Sequence, residues 1–345
     1  MLRRGFLAPS FRDAEARAVG SQVLCGLGSD IEVELIGASE DEVGQITHLW
    51  RKLFCLDPRE PDNAQTPVSL RYCFRQNGQE HESRQEKVYA SPGLDIWRTQ
   101  GGFLLESNSA FLSVDPARGY AKGMLGSRFW SSPLQYQRGF FSLSFLLLLN
   151  AHRFYGLHAG AVEGAGSSFL VVGDSGCGKT TTTLNLVRHG WRYLSDDAVV
   201  LHANRGPVEA LALSRGFSCT AGTLERFPDL AGAQTEAVHG GKRLVSADDL
   251  FPGQFLAKTQ PSILLFPEIA PRQEQSQLDP LGPTEALARL IRQSPGVLSD
   301  RAAVAGQLEI LRQLVECSRS FRLTLAADVH DQPQALVRLL ETVEA

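Results

Sequence analysis

The chain has 345 residues, of which 43% are hydrophobic and 21% are charged, with a formal net charge of −4 at pH 7. This composition is that of an ordinary folded enzyme and excludes a protein dominated by long disordered segments. The slight acidic excess argues against a nucleic-acid partner, whose electrostatic footprint would be basic. The length exceeds what one hydrophobic core usually supports, so we expect two domains.

The cysteines and the apolar segments indicate the cellular compartment in which the protein is expected. The six cysteines form no C-x-x-C pair and no zinc-spaced cluster, which indicates the reduced thiols of a cytosolic protein. They are Cys25, Cys55, Cys73, Cys177, Cys219 and Cys317. The N-terminal residues lack the apolar segment of a signal peptide, and the longest apolar run, Phe140–Leu149, is about half of the ~20 residues that a membrane helix needs. We therefore expect a cytoplasmic protein without membrane contact.

Residues 1–135 have the pattern of a mixed helix and strand region. The spacing of Val43, Ile46 and Trp50 behind Ser39 predicts an N-capped helix over 40–50. Strands are predicted at 68–74, near 88, at 103–106 and at 110–114, with a surface loop over 57–67. Asn77-Gly78 predicts a hairpin that joins the first two of these strands.

From residue 136 onward, helices and apolar strands alternate, which predicts an α/β domain. The predicted elements are a helix at 139–150, strands at 157–162 and 169–172, a helix at 180–188 closed by Gly190, a strand at 191–194, a strand at 262–266, helices at 284–294 and 303–317, a strand at 321–326, and a last helix from 333. We therefore predict an accessory or substrate-recognition domain over 1–135 and an ATP-binding domain over 136–345.

The strand at 169–172 leads directly into a phosphate-binding loop of the Walker A pattern, G-x-x-x-x-G-K-[ST]. The loop consists of Gly173, Asp174, Ser175, Gly176, Cys177, Gly178, Lys179 and Thr180. Its glycines let successive backbone N–H groups point at phosphate oxygens, and the following helix N-terminus adds a partial positive charge. Lys179 would reach the β- and γ-phosphates, and the Thr180 hydroxyl would bind Mg²⁺.

Two adjacent acids, Asp196 and Asp197, follow the strand at 191–194. Consecutive side chains at a strand end point to opposite sides, so one carboxylate can face the metal and the other the phosphate acceptor. Phosphoryl transfer uses both a metal-bound carboxylate and a residue that orients or deprotonates the acceptor hydroxyl. His158 precedes the strand pair that feeds the loop, and by itself a single histidine is more often a packed residue than a catalytic one.

These segments together resemble the catalytic domain of bacterial HPr kinase/phosphorylase. The resemblance is carried by Leu157 to Val162, by the phosphate loop and by Gly190 to Asp197, including the spacings from His158 to Lys179 and from Lys179 to Asp196. The whole chain is similar to HPr-kinase-related enzymes found with peptide biosynthesis, including those that phosphorylate a serine of lasso-peptide precursors. The chain departs from HPr kinases in having Thr180-Thr181 where they carry Ser-Glu.

The resemblance implies a P-loop fold of the phosphoenolpyruvate carboxykinase and HPr-kinase type, with a mixed sheet and an N-terminal α+β region. It implies that Asp196 is the catalytic base and that Asp197 is either a metal ligand, together with Thr180, or a second catalytic acid. It also implies that His158 lies close to the acidic pair, while Lys179 binds phosphate. Further candidates for nucleotide contacts are Thr181, Arg215, Lys242 and Arg243. The resembled family includes hexamers, so a homo-oligomer is one state that the resemblance allows.

The function predicted from the sequence is an ATP- and Mg²⁺-dependent kinase that transfers the γ-phosphate to a hydroxyl, in particular a serine of a peptide or protein such as a ribosomal peptide precursor. Two alternatives are a kinase of a small hydroxylated metabolite and a non-catalytic module that senses nucleotide. A phosphoenolpyruvate carboxykinase is a weaker third reading. The sequence identifies neither the acceptor nor the role of the N-terminal region.

Overall fold

The computed structural model describes residues 20–28, 30–58, 68–75, 83–107, 109–203, 206–214, 216–232, 235–237, 241–246, 250–294 and 301–343. The chain divides into two compact units, Met1–His152 and Arg153–Ala345. The boundary expected from the sequence, between 135 and 136, falls at the start of the helix Leu134–Ala151, whereas the division between the units falls at its end. Both units combine helices with sheets, as expected for a mixed α/β chain.

The first unit contains one large sheet and three α-helices in its described part. Its strands are β1 (Gly20–Gly26), β2 (Ile31–Gly37), β3 (Leu56–Pro58), β4 (Val68–Phe74), β5 (Glu86–Ser91), β6 (Leu94–Arg98), β7 (Phe103–Ser107), β8 (Ala110–Asp115) and β9 (Tyr120–Leu125). Its helices are α1 (Glu40–Leu53), α2 (Ser127–Trp130) and α3 (Leu134–Ala151), with a 3-10 turn at Pro116–Arg118.

The nine strands form one sheet in the order β3-β1-β2-β4-β9-β8-β7-β6-β5. Strand β4 pairs in parallel with both β2 and β9, whereas β5 pairs with β6. The predicted hairpin between β4 and β5 is therefore wrong, and Asn77-Gly78 itself lies outside the described residues, as does most of the predicted loop at 57–67. Alternating hydrophobicity fixes which face of a strand is buried, but it does not select the neighbouring strand.

Helix α1 confirms the N-capped helix predicted from the sequence. The Ser39 hydroxyl accepts a hydrogen bond from the Glu42 backbone N–H at 3.2 Å, which satisfies one of the unpaired donors of the first turn. Trp50 is fully buried, and its ring centre lies 4.7 Å from that of Tyr72 and 5.4 Å from that of Phe141. These edge-to-face ring contacts join α1, β4 and α3 in one core.

The second unit carries the phosphate loop. Its strands are β10 (Tyr155–Leu157), β11 (Ala159–Gly164), β12 (Ser167–Val172), β13 (Arg192–Ser195), β14 (Val199–His202), β15 (Glu209–Ala212), β16 (Gly216–Cys219), β17 (Thr235–Ala237), β18 (Arg243–Ser246), β19 (Lys258–Thr259), β20 (Ile263–Ile269), β21 (Gln277–Pro280) and β22 (Arg319–Leu325). Its helices are α4 (Lys179–Arg188), α5 (Ala221–Arg226), α6 (Pro283–Arg292), α7 (Arg301–Cys317), α8 (Asp328–Asp331) and α9 (Gln334–Glu341), with a 3-10 turn at Pro228–Gly232. Within the described parts of both units, no helix combines the length and the apolar character needed to cross a bilayer.

A six-stranded mixed sheet in the order β13-β11-β12-β20-β22-β21 is the centre of this unit. Strand β12 pairs antiparallel with β11 and parallel with β20, which in turn pairs parallel with β22. Smaller sheets, β10-β14-β15-β19 and β16-β18-β17, complete the unit. The near-continuous apolar runs of β12 and β20 fit strands that are buried on both faces.

The strand directions bring three chain segments to one edge of this sheet. Because β11 runs opposite to β12, its first residue, Ala159, lies beside Val172, the last residue before the phosphate loop. Because β13 runs opposite to β11, its last residue, Ser195, also lies at this edge. His158, the phosphate loop and the Asp196-Asp197 pair therefore meet in space, although more than thirty residues of sequence separate the first from the last.

Helix α4 packs on β11 at a position where the strand has no side chain. A Cβ atom at Gly160 would lie 2.8 Å from the Thr183 hydroxyl and 3.4 Å from the Asp196 carbonyl oxygen. Thr183 is fully buried. The glycine therefore allows the close approach that places the start of α4 beside the acidic pair.

The substitution Gly160→Ala tests this close approach. Because the added methyl group would overlap Thr183, we expect the free energy of unfolding to fall by about 1–3 kcal/mol, measured by thermal or denaturant unfolding. Gly44→Ala in α1 is the control, since nothing lies within 4 Å of its Cβ position. That variant should be as stable as the native chain or more stable, and equal stability of both variants would contradict the packing described for Gly160.

Candidate active site

The phosphate loop lies between β12 and α4, as predicted. Gly176 and Gly178 have φ angles of +88° and +104°, in the left-handed region that favours glycine. A Cβ atom at Gly173 would lie 2.7 Å from the Cys177 sulfur, so the loop closes tightly on itself. The tip formed by Asp174, Ser175 and Gly176 is exposed, so a polyanion has access to it.

Lys179 folds back across the loop. Its ammonium group donates hydrogen bonds to the carbonyl oxygens of Gly173, at 2.6 Å, and Asp174, at 3.0 Å. The side chain is buried, and burial lowers its pKa, an effect that the carboxylates of Asp197 and Asp196 oppose. Lys179 is thus held at the concave side of the loop, where a phosphate chain would meet it.

Thr180 and Asp196 are directly bonded. The Thr180 hydroxyl donates to Asp196 Oδ2 at 2.8 Å, and the same oxygen accepts the Ser218 backbone N–H at 3.0 Å. Asp196 is only 1% exposed, so its orientation is fixed by its surroundings. Thr181, the next residue along α4, is half-buried in the first turn.

This pair of oxygens fits a magnesium ion. In an octahedral Mg²⁺ complex with metal–oxygen distances of about 2.0–2.1 Å, adjacent ligand oxygens lie about 2.9 Å apart. The 2.8 Å between Thr180 Oγ1 and Asp196 Oδ2 matches such an edge. Within the described residues no group of three or more His, Cys, Asp or Glu side chains could hold a metal alone. A Mg²⁺ ion held by these two oxygens would take its remaining ligands from phosphate oxygens and water.

Asp197 faces a different partner. His158 Nδ1 lies 3.4 Å from Asp197 Oδ1, with side chains 35% and 23% exposed. Burial lowers the pKa of His158, and the charge of Asp197 partly opposes this shift. The imidazole is therefore neutral near pH 7. The two aspartates are adjacent in sequence but have different partners: Asp196 is bonded to Thr180, and Asp197 lies beside His158.

Gln293 joins the site and was not predicted from the sequence. Its side-chain amide donates to Asp174 Oδ1 at 2.5 Å, and its backbone carbonyl accepts the His158 N–H at 2.8 Å. It lies at the C-cap of α6, more than a hundred residues from either partner. A single glutamine after a helix carries no motif, so only the tertiary structure could reveal this link.

Of the three basic residues predicted to contact the nucleotide, the structure describes two. Lys242 lies close enough to the loop that its charge contributes to lowering the pKa values of His158 and Lys179. Arg243 is exposed on β18, in register with Cys219. Arg215 lies outside the described residues.

Cys219 lies close enough to Asp196 for the charge of that carboxylate to act on its thiol. It is fully buried. Burial, together with the charge of Asp196, raises the pKa of its thiol to about 12. Cys219 is thus a neutral packing residue at pH 7, not a nucleophile.

The pKa of His158 reports on this arrangement, and NMR titration of the imidazole can measure it, with His158→Gln to assign the signal. We expect a midpoint below the ordinary value of about 6.5. Asp197→Asn should lower it further, because a stabilising negative charge is removed. Lys242→Gln should raise it, because a repelling positive charge is removed. Unchanged midpoints in both variants would contradict the proximity of these groups.

Comparison with known proteins gives one short sequence similarity. No family model matches the chain. Over 47 residues, 14% of this chain, it is 47% identical to HPr kinase/phosphorylase from Limosilactobacillus reuteri (strain DSM 20016), and equally to that of L. reuteri subsp. reuteri (strain JCM 1112). The chain spans only 15% of the length of these curated relatives. A solved structure, the Hpr(Ser) kinase/phosphatase from Coxiella burnetii, aligns over 55% of this chain and 95% of its own, with 10% identity and a TM-score of 0.30. One segment of the chain is therefore similar to HPr kinase/phosphorylase.

Proposed function

We propose that this protein is an ATP- and Mg²⁺-dependent kinase that transfers the γ-phosphate to the serine hydroxyl of a peptide or protein. The observation that carries the proposal is the hydrogen bond that the hydroxyl of Thr180, the last residue of a Walker A loop, donates to Asp196. The short similarity to HPr kinase/phosphorylase supports the same class of reaction.

The phosphate chain is bound by the loop. Backbone N–H groups of residues 173–180, the N-terminus of α4 and the Lys179 ammonium group provide positive potential for the β- and γ-phosphates. Lys242, the residue before β18, adds a further positive charge close to Lys179. Thr180 and Asp196 would hold Mg²⁺, which when bound neutralises charge on the phosphates.

Asp197 is then the carboxylate that meets the acceptor hydroxyl. It is more exposed than Asp196, and His158 lies beside it. The geometry supports an exchange of the roles that the resemblance implies: Asp196 on the metal side and Asp197 as the base. A buried carboxylate already bonded to the Thr180 hydroxyl and to a backbone N–H is poorly placed to meet a hydroxyl from solvent.

The proposed phosphoryl transfer forms one bond, breaks one bond and moves one proton. The serine oxygen forms a bond to the γ-phosphorus, while the bond from that phosphorus to the β,γ-bridging oxygen breaks and ADP leaves. The hydroxyl proton passes to an Asp197 oxygen. His158, neutral near pH 7, orients that carboxylate without neutralising it. Positioning and charge stabilisation supply most of the rate in this chemistry.

Two Asp→Asn variants separate the proposed roles. Asp197→Asn should lower phosphoryl transfer by ~10²-fold or more while the Mg·ATP dissociation constant changes by only a few-fold. Asp196→Asn should instead weaken Mg·ATP binding by about tenfold or more, since an ion ligand loses its charge. Calorimetry and transfer of labelled phosphate measure the two quantities, and Asp279→Asn, at an exposed position on β21, is the matched control.

The acceptor can be sought with γ-labelled ATP and a library of peptides that each contain one serine, beside copies in which that serine is alanine. Label that appears on the serine peptides and is absent from the alanine copies supports the proposal. Tight Mg·ATP binding with no label on any peptide or small hydroxylated compound, and no dependence on Asp197, would instead favour a nucleotide-sensing module.

A further inference from the structure

A bound nucleoside triphosphate has a γ-phosphate end and a nucleoside end. The strand order of the six-stranded sheet would place these two ends on opposite sides of β12. His158 directly precedes β11 and the two aspartates directly follow β13, and both strands lie on one side of β12. The γ-phosphate must face this side if it is to meet Asp197. The nucleoside end must therefore leave the loop on the other side of β12, where β20 and β22 lie.

Strands β20 and β22 present their carboxyl ends there. Both run parallel to β12, so their last residues lie at the same edge of the sheet as the phosphate loop. In open α/β sheets, ligands bind outside the carboxyl ends of such strands. The ends of β20 and β22 are therefore the surface over which the nucleoside would extend.

An apolar side chain is exposed at the carboxyl ends of β20 and β22. Ile269, the last residue of β20, is 54% exposed, the most exposed of the large hydrophobic side chains in the described residues. Its Cγ1 atom lies 3.9 Å from the Cβ position at Gly178, and Leu325 of β22 lies 2.8 Å from the same position. The Ala270 N–H donates to the Leu325 carbonyl at 2.8 Å, which fixes the two strand ends together.

The charged side chains at this strand end belong to the opposite face of the sheet from Ile269, because consecutive strand residues point to opposite sides. Glu268 precedes Ile269 and accepts Arg289 at 2.7 Å, with Arg322 at 3.5 Å. Both arginines also bond Glu285. The face beside the loop therefore presents the apolar side chains of Ile269 and Leu325, which suit a flat, neutral group such as a nucleobase.

We propose that Ile269, backed by Leu325, is the surface on which the nucleobase of the phosphate donor packs. This inference rests on the proposed function and adds to it the surface that contacts the base of ATP, a contact that an inorganic polyphosphate would lack. Gly178 is then needed both for its backbone conformation and for the close approach of the Leu325 side chain to the loop.

The test compares ATP with inorganic tripolyphosphate, each with Mg²⁺, by calorimetry on the full chain. Ile269→Ala should weaken ATP binding about fivefold to tenfold, because contact with apolar side-chain atoms is lost, and should leave tripolyphosphate binding unchanged within twofold. Ile269→Leu should retain most of the ATP affinity. Leu308→Ala, at a 43% exposed position on α7, is the matched control and should change neither affinity.

The outcomes separate this inference from the proposed function. Unchanged ATP affinity in Ile269→Ala, or equal losses for ATP and tripolyphosphate, would overturn the base contact while leaving the kinase proposal standing. If the native chain binds neither ligand, both proposals fail. Since Ile269 is exposed, its variants should fold, and the thermal unfolding midpoint of each variant checks this.

Discussion

The arrangement of the second unit depends on the hydrogen bond between Thr180 and Asp196. It joins the first turn of α4 to the residue that follows β13, at a place where Gly160 lets the helix approach β11 closely. The same contact sets the separation of the two oxygens that suit a divalent ion. Fold and chemistry therefore share one constraint: the helix must lie close to the sheet for the ligands to converge.

The mixed direction of the six-stranded sheet divides the site into two halves. Antiparallel β11 and β13 deliver His158 and the aspartates to one side of the phosphate loop, while parallel β20 and β22 deliver apolar strand ends to the other. In the proposed reaction, phosphate charge and proton transfer are handled in the first half, and the nucleobase is recognised in the second. The loop between them supplies the backbone donors that a phosphate chain needs.

Much of the site could be predicted from the sequence, because the phosphate loop is local. Its glycines, Lys179 and Thr180 are contiguous, and the strand before and helix after follow from apolar runs. The roles of Asp196 and Asp197 could not be assigned in this way, because strand alternation says that they point apart but not which partner each meets. Gln293 could not be found at all, since its two hydrogen bonds join segments that are distant in sequence. The pairing of β4 with β2 and β9 was missed for the same reason: neighbours in a sheet are chosen by tertiary packing.

The central claim is that a divalent ion lies between Thr180 and Asp196 when a nucleotide occupies the loop. Crystals of the protein with Mn²⁺ and a non-hydrolysable ATP analogue test it through the anomalous scattering of manganese. The account predicts a peak within about 2.4 Å of Thr180 Oγ1 and of Asp196 Oδ2. A peak bound by Asp197 and remote from Thr180, or a nucleotide bound away from residues 173–180, would contradict it.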